Sequence, residues 1–210
     1  MASYVDDPGM YRSDLIGQSP VFRKAVGLIE RMANCSVSVL LYGETGTGKG
    51  KELAARAIHY LSRCRHLPFT PVNCGAFPDM LVESELFGHA RGAFTDARDA
   101  QVGLVAQADG GTLFLDEVDS LSLKAQITLL RFLQDGSYRP LGAGKTVTSR
   151  SRIVAATNGD LVELVKRGAF RSDLFCRLHV VPVRMPPLAR AARGRHSARG
   201  GIPEALGATA

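Results

Sequence analysis

A glycine-rich turn between a buried strand and a helix limits the folds open to this 210-residue chain more than any other feature. Residues 37–42 are a β-branched and apolar run, suited to a strand buried on both faces. Gly43-Glu44-Thr45-Gly46-Thr47-Gly48-Lys49 follows, and residues 51–61 carry a helical pattern. The turn satisfies the first seven positions of G-x-x-x-x-G-K-[ST] in the structural setting that pattern requires. Glycines let backbone N–H groups face inward around a triphosphate, the helix N-terminus favours anions, and Lys49 is placed to reach the β and γ oxygens. The eighth position is Gly50, where the pattern asks for a hydroxyl on Mg2+, so a metal has to rely on water and on a carboxylate from elsewhere.

The rest of the chain alternates in the same way. From Val21 the residues Val21, Ala25, Leu28, Ile29 and Met32 recur at helical spacing. Strands are expected at 69–72, 113–115, 152–156 and 180–183, and helices at 81–87, 121–133 and 161–166. Strands separated by helices imply right-handed crossovers and an α/β fold, a parallel sheet with helices on both faces. Ligands on such sheets sit at the carboxyl ends of the strands. Residues 88–102 fit neither period, and Gly88, Gly92 and Asp96 suit turns, which predicts a projecting loop.

That edge locates the missing carboxylate. The strand Thr112-Leu113-Phe114-Leu115 ends in Asp116-Glu117, two acids where ligands bind. Asp116 is expected to hold the Mg2+ shell and Glu117 to polarise water attacking the γ-phosphoryl group of ATP. An acidic strand end that merely caps the next helix is the plainer alternative.

The formal charge of +6 raises the question of a nucleic-acid partner. Half of it lies after residue 188, where Arg190, Arg193, Arg195 and Arg199 face only Glu204, and the remainder suits a solvated surface. Cys35, Cys64, Cys74 and Cys176 lack the close pairing of a zinc or redox site and read as buried or idle thiols. The apolar runs are far shorter than the roughly 20 residues of a membrane helix, and the first residues lack a signal-peptide pattern, so the cytoplasm is the expected compartment.

Taken together, these segments resemble the central AAA+ domain of sigma-54-dependent transcription activators, the bacterial enhancer-binding proteins. The resemblance rests on Leu15-Ile16-Gly17-Gln18-Ser19-Pro20, the phosphate-binding turn, Ala55-Arg56-Ala57-Ile58-His59 and Glu85-Leu86-Phe87-Gly88-His89. It continues through Gly92-Ala93-Phe94-Thr95-Asp96-Ala97, Gly110-Gly111-Thr112, Asp116-Glu117, Ala155-Ala156-Thr157-Asn158, Phe170-Arg171-Ser172-Asp173-Leu174 and Arg177-Leu178. The resemblance implies an ATPase that remodels sigma-54 RNA polymerase from a ring of six or seven subunits. It implies that Asn73 is the switch holding the catalytic glutamate, that Asn158 senses the γ-phosphate, and that Arg171 and Arg177 are fingers reaching a neighbouring subunit's ATP. On composition alone those arginines read as surface ion-pair partners of Asp173. The segment Gly92-Ala93-Phe94-Thr95-Asp96-Ala97 corresponds to the sigma-54 contact, where the family has glycine at the position of Asp96. Aspartate there tolerates a left-handed backbone better than most residues but adds a side chain and a charge.

Two further departures stand out. The family passes directly from Lys-Glu to Ala-Arg, whereas Lys49-Gly50-Lys51-Glu52 duplicates the Gly-Lys pair, so Lys49 keeps its spacing from Gly43 and Lys51 keeps its spacing to Ala55. After Leu188 the expected helical lid and DNA-binding helix-turn-helix give way to a stretch with seven Ala, four Arg and four Gly in 22 residues, a bias that cannot support a core. The expected organisation is a leader at 1–13, an AAA+ domain at 14–188 lacking its lid, and a disordered tail at 189–210 from a truncated or frameshifted gene. Two competing functions remain: a non-catalytic remnant that binds nucleotide weakly or interferes with intact relatives, and an AAA+ ATPase with another client.

Overall fold

Period-two burial along the strands sets the layers. In the computed structural model, which describes residues 20–43 and 48–186, Val39, Leu41, Phe114, Val154, Ala156 and Val183 face one apolar cluster. Leu40, Val72, Leu113, Leu115, Ile153 and Ala155 face a second. A sheet buried on both sides in this way needs helices on both sides, and it has them.

In chain order the elements are α1 (Pro20–Ala33), β1 (Val39–Tyr42), α2 (Gly48–Tyr60), β2 (Phe69–Asn73), α3 (Asp79–Phe87), β3 (Gly88–His89), β4 (Gln101–Val102) and α4 (Leu104–Gln107). They continue as β5 (Thr112–Asp116), α5 (Leu123–Asp135), β6 (Ser137–Tyr138), β7 (Val147–Thr148), β8 (Arg152–Thr157), α6 (Leu161–Lys166), α7 (Ser172–Leu178) and β9 (Val181–Arg184). The central sheet runs β2-β5-β8-β1-β9, all parallel, so every carboxyl end lies on the same edge. Ala25 and Ile29 of α1 and Ala54, Ala55, Ala57 and Ile58 of α2 cover one face. Residues of α3, α5 and α7, among them Val82, Leu86, Leu129, Leu174 and Leu178, cover the other. This is the α/β architecture read from the alternation.

Some expectations need correction. The buried stripe of α1 is Phe22, Ala25, Ile29 and Ala33, not one led by Val21, which is exposed. Residues 88–102 are not a free loop throughout: β3 and β4 pair antiparallel at its base, with Gly88 opposite Val102. Arg152 closes α1 by donating to Met32 O at 2.7 Å and Ala33 O at 3.4 Å, satisfying carbonyls that the helix end leaves open. The leader at 1–13, the motif at 15–19 and the tail at 189–210 lie outside the described residues. Among the described residues no helix is long and apolar enough to cross a membrane.

Candidate functional site

The strand ends bring the expected residues together. In register, Asn73 lies beside Asp116 on neighbouring strands, and Tyr42 lies beside Thr157, each one residue before Gly43 and Asn158. Asp116, the last residue of β5, accepts the Glu117 backbone N–H on Oδ1 at 2.9 Å. Glu117 is the one non-glycine described residue with positive φ, at φ 55 and ψ 46. A left-handed backbone on glutamate is uncommon and costs free energy that the surrounding contacts must offset. It turns the Glu117 side chain toward β2, where Oε2 lies against Gly75 in the 3-10 turn Cys74–Ala76. Asn73 Oδ1 accepts the Gly75 N–H at 2.8 Å. Asn73 and Glu117 thus flank the same glycine, with the Asn73 carbonyl engaged by backbone.

The buried lysine of this site is Lys51. It is fully buried, its Nζ donates to Asn158 Oδ1, and it lies 3.7 Å from Asp116 Oδ1. It therefore links the acid at the end of β5 to the amide after β8. Gly43 follows β1 with its N–H directed to Thr157 O at 3.4 Å. Glu44, Thr45, Gly46 and Thr47 lie outside the described residues, while Gly48, Lys49 and Gly50 form the first turn of α2.

A brace behind the site also escaped the sequence reading. Thr157 is fully buried; its hydroxyl donates to Asp119 Oδ1 at 2.6 Å and accepts the Gly159 N–H at 3.0 Å. This fixes the turn that presents Asn158. Cys74 lies against the same acids, and burial first, then the charges of Asp116, Asp119 and Glu117, push its thiol up to about 12. It is idle as a nucleophile at neutral pH.

Beside these residues a cleft of about 590 Å³ opens between the ends of β1, β8 and β9, lined among others by Tyr42, Gly43, Asn158, Asp160, His179 and Arg184. Its volume is in the range of small-molecule sites. Tyr42 packs edge-on to His179 with ring centroids 6.0 Å apart, and burial, then the charge of Asp160, raise its phenol above the ordinary value while Arg184 opposes them.

For Mg2+, the fit rests on Asp116: its carboxylate is partly exposed at the strand end, next to Glu117. Gly50 supplies no oxygen side chain, and Glu52 is held by Arg56 at 2.7 Å. No cluster of three or more metal-binding side chains occurs among the described residues.

The two arginines lie elsewhere. Arg171 pairs with Asp173 through contacts of 2.7 and 3.0 Å, as the plainer reading has it. Arg177 does not; it donates to Leu133 O at 3.2 Å and Gln134 O at 3.3 Å at the end of α5. Among the described residues none of these partners belongs to the strand-end site.

The segment Gly92-Ala93-Phe94-Thr95-Asp96-Ala97 is closed on itself by Gly92 N–H to Ala97 O at 2.8 Å. Gly92 takes the left-handed conformation, with φ 78, but Asp96 does not. The tolerance of aspartate for a left-handed backbone is therefore not called on, and what Asp96 adds is an exposed side chain and its charge. Phe94 is 37% exposed and packs edge-on to buried His89 at 5.0 Å. A second loop supports it: Ala90 N–H bonds to Leu141 O at 2.8 Å, and Gly142 sits against Ala93.

Comparison with known proteins places these features in context. A family model described as the sigma-54 interaction domain matches residues 15–184. The Nif-specific regulatory protein of Azotobacter vinelandii is 49% identical over 178 residues, 85% of this chain and 34% of that protein. The chain thus spans about a third of this curated relative's length. Crystalline NtrX from Brucella abortus in complex with ATP is 36% identical with a TM-score of 0.75, over 84% of this chain and 39% of that one. The P-loop NTPase domain of the sigma-54 transport activator from E. coli shares the fold, with a TM-score of 0.55 at 20% identity, over 82% of this chain and 99% of that one.

Proposed function

Given that the chain belongs to the sigma-54 interaction domain family, with the AAA+ P-loop fold, we propose that it binds and hydrolyses MgATP and uses that cycle to remodel sigma-54 RNA polymerase during transcription activation. The observation that carries this reading is the convergence at one sheet edge of Asp116, Glu117 and Asn158 with a buried lysine from α2. Backbone amides of the turn from Gly43 to Gly48 and a lysine of α2 hold the phosphates. Mg2+ held by Asp116 would neutralise charge on the β and γ oxygens. Glu117, left-handed and facing Gly75, orients the attacking water, and Asn73 beside it regulates when the carboxylate is presented. The cleft beside Tyr42 and His179 takes the nucleoside.

Arg171 and Arg177 complete the site of a neighbouring subunit. Their partners among the described residues lie at Asp173 and the end of α5, and an exposed pair such as Arg171–Asp173 exchanges partners at little cost. The segment around Phe94 offers an exposed aromatic ring on a braced loop to sigma-54.

Phosphate release measured across protein concentration tests the reading. The expected result is a specific activity that rises with concentration and disappears in Glu117→Ala. A flat background at all concentrations would instead favour the non-catalytic remnant.

A further inference from the structure

We infer that Lys51, rather than Lys49, is the phosphate-gripping lysine of this chain, and that the extra Gly-Lys pair is spare length ahead of it. The inference rests on the nucleotide-binding reading above and assigns the residue that does the gripping.

Three observations point the same way. Lys51, Ala54, Ala55 and Ile58 are all fully buried and follow the i, i+3, i+4, i+7 spacing of one helix face, the face that α2 turns to the sheet. Lysine is almost never fully buried unless paired, so its place on that stripe needs a partner. The partners among the described residues are Asn158 Oδ1 and, at 3.7 Å, Asp116 Oδ1. These belong to β8 and β5 at the edge where a γ-phosphate and its metal would lie.

An ammonium carries three donors; among the described residues one goes to a neutral amide oxygen, and the nearby Asp116 Oδ1 is shared with the Glu117 N–H. Phosphate oxygens arriving between Asn158 and Asp116 meet the same ammonium. Lys49 occupies the first turn two residues earlier, about 200° around the helix axis from Lys51. The two lysines cannot both follow the buried stripe.

The test uses the full 210-residue chain as wild type, Lys49→Ala and Lys51→Met, titrated calorimetrically with MgADP and with ATP in the presence of Mg2+. Lys51→Met keeps the aliphatic length and removes the charge. Its affinity is expected to fall by about 100-fold, whereas Lys49→Ala loses less than about fivefold, as expected when only one lysine makes charge-assisted bonds to phosphate. Melting temperature without nucleotide separates folding from binding: the Asp116 carboxylate that Lys51→Met leaves behind is partly exposed and stays hydrated, so the variant is expected to melt within a few degrees of wild type. A hundredfold loss in Lys49→Ala, or equal losses in both variants, overturns the assignment, and the Lys49 arm does so however Lys51→Met folds. Wild-type chain that takes up neither nucleotide overturns the nucleotide-binding reading itself, and this assignment with it.

Discussion

Gly75→Ala tests the position of Glu117 without touching either carboxylate. A methyl group at Gly75 would run into Glu117 Oε2, while Ser120 Oγ at 3.3 Å and Asn73 Oδ1 at 3.4 Å remain at contact distance. The obstructed atom is the far end of a flexible side chain, so the carboxylate withdraws and the backbone stays. To restore an ordinary contact it must retreat by about 1 Å, a misplacement that can cost about 100-fold in turnover. Gly75 does not have left-handed φ, so alanine fits the backbone and stiffens the unfolded chain, a gain of about 0.4–1 kcal/mol. The expected outcome is an unchanged or higher melting temperature, unchanged MgATP affinity, and phosphate release at saturating ATP reduced by about two orders of magnitude. Turnover within about threefold of wild type, with folding and binding intact, would refute the assignment of Glu117 to the reacting centre.

Three further outcomes concern the cysteines and Asp96. Cys35 and Cys176, both exposed, should react with a thiol reagent at neutral pH, while buried Cys74 should react only after unfolding. The Cys74 thiol sits at about 12 in the folded chain against an ordinary 9, so the unfolded chain loses its proton first as pH rises. Stability contributed by this thiol is thus complete below pH 9 and lost progressively toward pH 12, and the urea-midpoint difference between wild type and Cys74→Ala should shrink from pH 8 to pH 11; a constant difference would contradict the burial argument. For Asp96→Gly, removing an exposed charge at the proposed contact should strengthen the sigma-54 complex trapped with an ATP analogue by about fivefold. An unchanged or weaker complex counts against Asp96 as an obstacle.

The sheet was legible because each central strand is an apolar run bounded by turn residues, and burial on both faces leaves few other solutions for such runs. Asp116, Glu117 and Asn158 were legible for a related reason: they end or directly follow strands, and the strand end is the place a parallel sheet offers a ligand. Asp119 and Gly75 were not. Asp119 acts through Thr157, 38 residues away, and the role of Gly75 appears only when the side chain of Glu117 is in place over it. Nor did the pattern of 88–102 reveal its support, because β3 and β4 are two residues each and the 139–146 loop contacts the segment through backbone and small side chains. Motif spacing from Gly43 pointed to Lys49. Burial periodicity, also present in the sequence as Lys51, Ala54, Ala55 and Ile58, points to Lys51.

Magnitudes decide between those two signals. If Lys49 were to occupy the place of Lys51 in an unbroken helix, α2 would slide by two residues, and Glu52, Leu53 and Arg56 would enter the slots of Ala54, Ala55 and Ile58. Those slots are fully buried against Val39, Leu41, Phe114 and Val154. Glu52 and Arg56 now pair with each other at 2.7 Å on the partly exposed side, with the Arg56 guanidinium over Phe69 at 4.8 Å. Forcing both charges into an apolar layer built for alanine would cost several kcal/mol per ion, besides the overpacking. Lengthening the connection ahead of α2 is far cheaper, since even a doubling of loop length costs only about 0.6 kcal/mol. The two added residues therefore belong upstream of Lys51. Deleting Gly48 and Lys49 should leave the melting temperature within a few degrees of wild type, because the packed face of α2 is unaffected. A fall of more than about 10 °C in a calorimetric scan, which for a domain of this size means a loss of several kcal/mol, would show that the first turn of α2 is packed in a register that depends on them.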